Sequence, residues 1–209
     1  MKSRTLKLSA LSLAILPLLS GCGGDSIKDD IQGKWVSTGC EVRPTEEEDS
    51  KLYVKREYNI KESTWTGTLT FFADPACTVP MIEALAEGPY SVTEDEAAVK
   101  DTHEATFTLQ TMKLTPRADF MVDVLKEANP GTCGTASAWK LNTQQDVTPT
   151  KGCGVIGVDL QNCGVEYELV KVVDDTLLFG ARPADGSGAC SASKRPTTES
   201  FQPALKKAD

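Results

Sequence analysis

Seven cysteines in a chain of 209 residues, one of them at position 22 behind an apolar N-terminal stretch, constrain this protein more than any other feature of its sequence. Thiols at that density belong to an oxidising compartment, where they pair, and an odd number leaves one over. The N-terminus says which one. Lys2, Arg4 and Lys7 form a short basic region, and Leu8 to Leu19 follow as an apolar run too short to span a bilayer as a stable helix. Residues 1–21 are therefore read as a secretory signal. It ends in Leu19-Ser20-Gly21-Cys22, which looks like a bacterial lipobox: small residues before a cysteine whose sulfur takes a diacylglycerol and which becomes the first residue after cleavage. An N-acyl group would join it, and two or three chains anchor firmly where one holds only marginally. Gly23 and Gly24 follow with no Asp, the default pattern for the outer membrane. The expectation is an extracytoplasmic domain, lipid-anchored through Cys22 to the outer membrane, on its periplasmic or cell-surface face.

Cleavage there would remove Lys2, Arg4 and Lys7 and no acid from a chain with 22 Lys+Arg against 30 Asp+Glu, so the mature domain is more acidic than the formal charge of -8. Affinity for nucleic acid comes mainly from Lys and Arg neutralising phosphates, which argues against that class of partner. The single histidine, His103, cannot build a multi-His metal site and leaves one side chain that titrates near neutrality. No metal and no cofactor are expected. With Cys22 given to lipid, Cys40, Cys77, Cys133, Cys153, Cys163 and Cys190 remain, and an even number reads as three disulfides. No pair has the two-residue spacing of a zinc knuckle, and the connectivity stays open at this point.

Most of the chain reads as strands. Leu52, Val54, Tyr58 and Ile60 alternate with Lys55, Glu57 and Asn59, the period-two pattern of a strand with one buried face. From Ser63 to Ala73, Trp65, Leu69 and Phe71 share one face and Thr64, Thr66, Thr68 and Thr70 the other. Thr106, Thr108 and Gln110 alternate with Ala105, Phe107 and Leu109, and Tyr167 to Val173 and Thr176 to Ala181 flank a turn at Asp174-Asp175. At least six strands are visible, mostly in hairpin order. One helix interrupts them: Thr115 is placed as its cap and Pro116 at its first position, Phe120, Val124 and Ala128 share a face with Met121 and Leu125, and Asn129-Pro130-Gly131 stops it. A single short helix among many strands favours an all-β, mainly antiparallel, barrel-like or sandwich domain. Residues 22–30 are Gly- and Asp-rich and nonperiodic, a tether, and residues 31–209 form one domain. The acidic clusters at Glu46-Glu47-Glu48-Asp49 and Glu94-Asp95-Glu96 lack the spaced ladder of a calcium loop and are read as solvated loops.

The search for catalytic patterns is nearly empty. There is no Gly-x-Ser-x-Gly and no phosphate loop. His103 reads as a surface histidine at a strand edge, and no enzyme activity is expected.

Two segments are specific. Near the front, Gly33-Lys34-Trp35-Val36-Ser37-Thr38-Gly39-Cys40-Glu41-Val42-Arg43-Pro44 is followed by Phe71-Phe72-Ala73-Asp74-Pro75-Ala76-Cys77-Thr78-Val79-Pro80 and Gly88-Pro89-Tyr90. Near the end, Gly152-Cys153-Gly154-Val155-Ile156-Gly157 leads to Glu166-Tyr167-Glu168-Leu169-Val170-Lys171, Leu177-Leu178-Phe179-Gly180, Arg182-Pro183-Ala184-Asp185-Gly186-Ser187, Arg195-Pro196-Thr197 and Phe201-Gln202-Pro203. In type and order these resemble the domain of the adenomatosis polyposis coli down-regulated family, whose animal members are membrane-tethered Wnt inhibitors. The resemblance runs over most of residues 32–205 and is generic only across about 92–129.

The resemblance implies a β-barrel-like domain with a hydrophobic cavity that binds lipid or lipidated ligands and does no catalysis. Barrels of about eight strands leave room for one small ligand, and apolar and aromatic side chains usually line such a site. The inward candidates are Trp35, Trp65, Leu69, Phe71, Phe107, Trp139, Tyr167 and Phe179, each of which core packing alone would also explain. Arg182 and Asp185 are read as a structural ion pair. Cys163 and Cys190 fall where the family pattern needs no cysteine, which implies that they bond each other, with Cys40 joined to Cys77 and Cys133 to Cys153. Animal members carry tandem domains and a membrane-spanning anchor, whereas here one copy follows a lipid anchor, so Wnt is not carried over as the ligand. The expected function is binding of an acyl chain or other hydrophobic small molecule. The alternative is a structural or interaction lipoprotein with a filled core and a protein partner of unknown identity.

Overall fold

The computed structural model describes residues 26–44, 51–128, 130–182 and 188–208. Cys22 and the signal segment, the Glu46–Asp49 cluster, Asn129 and Asp185 lie outside them. A helical turn α1 (Ile27–Asp30) precedes β1 (Gly33–Ser37), β2 (Glu41–Pro44), β3 (Lys51–Lys61), β4 (Thr64–Phe72), β5 (Pro80–Glu96), β6 (His103–Thr108) and β7 (Thr111–Pro116). Then come α2 (Asp119–Glu127), three two-residue strands β8 (Gln145–Asp146), β9 (Gly152–Cys153) and β10 (Val158–Asp159), and β11 (Val165–Val173), β12 (Thr176–Phe179) and β13 (Leu205–Ala208).

Eight of these strands close a circle. β3 pairs with β4, β4 with β5, β5 with β6, β6 with β11, β11 with β12, β12 with β13 and β13 with β1, and β1 returns to β3, every pairing antiparallel. Closure removes the unpaired edges that an open sheet would have to protect. The patterned strands form as their residues dictate: in β3, Val54, Arg56 and Ile60 are buried between exposed Lys55, Glu57 and Asn59.

Two strands outrun the barrel. β3 gives Glu57–Ile60 to β1 but Lys51–Val54 to β2. β5 pairs with β6 from Tyr90 onward but with β7 over Ile82–Glu87. One end of the barrel therefore carries an annex of β2, β7, β8, α2 and the β9–β10 ribbon, while the other end is packed shut. At the shut end Ile31, Trp35, Ile60, Leu177 and Leu205 are buried to 1% exposure or less. α1 lies there against β5. Ser26 caps α1 by accepting from the Lys28 amide, its hydroxyl donates to Glu94 at 2.9 Å, and the Trp35 indole donates to the Ile31 carbonyl at 2.7 Å. The end of the segment expected as tether is thus structured, because Ile27 and Ile31 have an apolar barrel end to cover.

Three further expectations are corrected. Thr115 and Pro116 do not start the helix; they end β7, because β5 offers a free edge below the point where β6 leaves it, and Ile82 pairs with Pro116. The helix begins at Asp119 behind Ala118, which makes no side-chain cap, and buries Met121, Val122 and Leu125 while Phe120 stands 51% exposed. Glu94, Asp95 and Glu96 belong to the end of β5, exposed but not a loop.

The disulfides are Cys40–Cys77, Cys133–Cys153 and Cys163–Cys190, the pairing that the resemblance implied. A buried ion pair locks the annexed end. Arg56 points inward from β3 and donates to both oxygens of Glu41 on β2 (2.8 and 3.2 Å), to the side chain of Gln202 (3.1 Å) and to the carbonyl of Pro203 (2.6 Å), just ahead of β13. Both partners are under a tenth exposed. Removing one member of such a pair leaves the other buried without its counter-charge. Arg56→Met is expected to lower stability by about 3–5 kcal/mol in urea denaturation, and Glu41→Leu added to it should recover a large part of the loss.

Candidate binding cavity

A cavity of about 850 Å³ opens at the annexed end, within the range of roughly 300–1,000 Å³ usual for small-molecule sites. Its floor is aromatic. Trp65 on β4 meets Phe107 on β6 edge-on at 5.3 Å, Phe107 lies 5.8 Å from Phe179 on β12, and Phe179 lies 5.1 Å from Tyr58 on β3. Strands from around the circle thus each send one ring to the middle. Trp65 is fixed by its indole N–H donating to the Thr108 carbonyl at 3.1 Å. Gly67 makes room for this layer, since a Cβ there would sit 2.7 Å from the Trp65 ring and 2.9 Å from that of Tyr58. Above the floor, Leu69 and Phe71 on β4 and Ala84 and Ala86 on β5 form the walls, with Met112 on β7 and Met121 on α2 reaching in from the annex. Leu69 and Phe71 are only half-buried and face the open volume, Phe71 also packing against the edge of the core.

Residues 154–162 form a flap across one side of the mouth. Ile156, Val158 and Leu160 pack against the core and line the cavity. The flap is tied at both ends, by Cys153 to Cys133 and by Cys163 to Cys190.

One corner of the cavity is charged. The alternation of β11 sends Glu166, Glu168 and Val170 inward. Arg182, three residues after β12, donates to both oxygens of Glu166, at 3.1 and 2.7 Å, and stands 3.6 Å from a Glu168 oxygen. Arg43 on β2 and Tyr58 line the same corner. Burial alone would raise Glu166, but the charge and hydrogen bonds of Arg182, with Arg43 behind it, hold its carboxyl below the usual range. Glu168 is only 3% exposed, has no such fork, and feels Glu166 beside it. Burial pushes its carboxyl from 4.5 up to about 8, so at neutral pH it is mostly protonated. Its Oε2 and the Arg182 Nε are buried without a hydrogen-bond partner among the described residues. Burial also raises the Tyr58 hydroxyl and lowers the Arg43 guanidinium, which Arg182 further opposes.

Of the candidates from sequence, Trp65, Leu69, Phe71, Phe107 and Phe179 line this cavity, and Trp35, Trp139 and Tyr167 do not. Trp35 belongs to the packed end. Trp139 is fully buried in the annex, its indole donating to the Cys133 carbonyl at 3.1 Å. Tyr167 has the wrong parity on β11 and faces outward, where the Arg195 guanidinium lies 5.5 Å over its ring. The ion pair expected between Arg182 and Asp185 has its acid outside the described residues, and Arg182 pairs with Glu166 instead. His103 opens β6 with its ring nitrogen 3.1 Å from the Thr93 carbonyl, away from the cavity. Sequence reasoning missed Arg43, Glu166 and Glu168 as cavity residues; the Glu-x-Glu spacing does put two acids on one strand face. Among the described residues, no group of three His, Cys, Asp or Glu side chains could hold a metal ion.

More than half of the chain, residues 24–152, matches the model of the Adenomatosis polyposis coli down-regulated 1 family. The chain belongs to this family. The matched part carries the front of the barrel and the annex through β8 to the first residue of β9, and the remaining barrel strands β11–β13 follow it. In this family member the floor is thus divided, with Tyr58, Trp65 and Phe107 inside the matched stretch and Phe179 beyond it.

Two measurements test the site's physics. Replacing Cys163 and Cys190 together by Ser should cost about 2–4 kcal/mol, read from denaturation under non-reducing conditions. For Glu168 the folded protein keeps a proton that the unfolded chain releases, so its contribution is intact below about pH 4.5 and is lost as pH rises toward 8. Glu168→Gln should therefore gain stability relative to the native protein as pH climbs through that window, visible in denaturation midpoints at pH values spanning it.

Proposed function

We propose that this protein binds a long apolar or amphiphilic small molecule, a fatty-acyl chain being the model ligand, in the barrel cavity and does no chemistry on it. The observation that carries the reading is the unfilled volume of about 850 Å³ above an aromatic floor. A barrel whose own side chains filled it, the arrangement expected of a purely structural lipoprotein, would leave no such space. Membership of the family and the barrel fold support the reading at the level of architecture. Burying apolar chain is favourable by about 0.8 kcal/mol per CH₂, so a ligand that fills such a space need make few polar contacts.

The proposed lipid on Cys22 orients this device. The chain enters the described domain at α1, on the shut end of the barrel, opposite the mouth. From Cys22 to Ile27 the backbone can reach at most about 18 Å. Anchored this way in the outer membrane, the domain would sit with its shut end toward the bilayer and its mouth turned away.

The test is occupancy. Cys22→Ala protein, stripped of bound lipid, should take up one oleic acid per chain in detergent-free native mass spectrometry. Ala84→Phe, which drives a ring into the wall, should lower that affinity roughly tenfold or more, about 1.4 kcal/mol, while the protein stays folded. Uptake that is absent in the parent, or unchanged by the added ring, would remove the cavity as the site.

A further inference from the structure

The charged corner has features that an apolar cavity does not need. Burying ionisable groups costs stability unless each is paired, and replacing them by well-packed apolar residues is often neutral or better. Arg56 and Glu41 satisfy that condition, with every contact turned to holding strands together. The corner formed by Arg43, Glu166, Glu168 and Arg182 does not. Glu168 Oε2 and Arg182 Nε stay buried and unsatisfied among the described residues, on two residues that line the cavity and stand 3.6 Å apart at their nearest charged atoms. With Glu168 protonated, both are hydrogen-bond donors awaiting an acceptor. The charges agree with that reading. Arg43 and Arg182 bring two positive charges to the corner, Glu166 returns one negative, and a protonated Glu168 brings none, so these four residues carry one net positive charge. The corner lies beside the aromatic floor, since Tyr58 belongs to both.

We propose that the ligand of this cavity carries a single carboxylate, held between Arg43, Arg182 and Glu168, with its hydrocarbon chain lying over the aromatic floor. The inference rests on the reading of the cavity as a ligand site and names the class of molecule. A carboxylate supplies acceptors for both unused donors and balances the one excess charge. A neutral alcohol brings no charge to balance it, and a phosphate monoester brings about two at neutral pH. Charge-assisted hydrogen bonds in a site screened from water are roughly twice as strong as neutral ones, so the head should be read clearly.

The same corner makes binding depend on pH. Glu168 faces Arg182 and Glu166 most closely, with Arg43 and Arg56 beyond them and the Tyr58 hydroxyl across from β3. As pH rises through about 8, Glu168 ionises, turns from donor to acceptor and cancels the excess positive charge. A bound carboxylate should then be repelled.

Stripped Cys22→Ala protein of the full chain is titrated with oleic acid, oleyl alcohol and oleoyl lysophosphatidic acid at pH 7, with displacement of a fluorescent fatty acid as readout. The acid is expected to bind about tenfold tighter than the alcohol and tighter than the phosphate. Arg43→Gln should erase most of the preference for the acid, weakening the acid far more than the alcohol. Glu168→Gln, which keeps a donor but cannot ionise, should abolish the weakening of acid binding between pH 7 and 9. Equal affinity for acid and alcohol, tighter binding of the phosphate, or an acid preference indifferent to Arg43→Gln would overturn the assignment while leaving the cavity occupied. No binding of any probe would instead bring down the proposed function itself.

Discussion

Arg56 is the side chain on which the closed barrel turns. A circle of eight strands has to join its first and last members, and here those are β1, near the start of the domain, and β13, at its end. The seam is short, four residue pairs from Lys34↔Ala208 to Ser37↔Leu205. Its register is set from within. Arg56 holds Glu41, which follows β1, and at the same time Gln202 and the Pro203 carbonyl, which precede β13. Ser37, the last residue of β1, joins the group by donating to Glu41 and accepting from the Arg56 amide. An ion pair of this kind adds little net stability over apolar packing, but it admits few alternative geometries. That is what a seam between distant parts of a chain requires, because loop closure over so many residues has to be offset before the pairing stabilises anything.

Once the circle is closed, unequal strand lengths determine where the space lies. Where β1, β13 and β12 end, β3, β4 and β5 continue, so their inward faces lose the opposite wall. Leu69, Phe71, Ala84 and Ala86 stand on that unopposed stretch. The annex does not fill the gap; it roofs it at a distance, with Met112 and Met121 as its nearest side chains and a disulfide-tied flap at the rim. Methionine is flexible and polarisable, which would suit the acyl chain proposed as ligand. At the opposite end the strands are in step, and Trp35, Ile60, Leu177 and Leu205 meet with α1 as the plug.

Much of this was legible in the sequence where burial follows simple alternation. The faces of β3 and β4 read correctly because their outward residues are Lys, Glu, Asn and Thr, and the hairpin at Asp174-Asp175 announced itself. β11 did not read correctly. Its two faces are Tyr167, Leu169 and Lys171 against Glu166, Glu168 and Val170, and hydrophobicity favours the first as the buried side. The structure turns that face outward and covers it with the strand-less segment before β13: Pro196 and Leu169 both crowd the space over Gly180, and Tyr167 lies under Arg195. Arg195 fixes this strap by donating to the Ala105 and Glu168 carbonyls at 2.6 Å each. No local pattern reveals that a later stretch of chain will cover the outside of a barrel. The helix start failed for a similar reason, since Thr115-Pro116 is a good cap in isolation and only the free edge of β5 makes it a strand.

The residues that misled the hydrophobic reading give the cavity its character. Local rules fail at functional sites more than elsewhere, because function asks for groups that folding alone would not place there. Glu166 and Glu168 illustrate the difference within one strand. Glu166 is satisfied by Arg182, so it could be explained as structure. Glu168 is two residues away on the same face, is more deeply buried, and remains unsatisfied. A protein under selection for stability alone would have an apolar residue at that position, as it does at Val170 on the next inward step of the strand. The inward residues along β11 thus pass from an acid gripped at both oxygens by Arg182, to one that is buried with an oxygen left over, to a hydrocarbon in the core, so the polarity that folding does not require is confined to the stretch of the strand that lines the cavity.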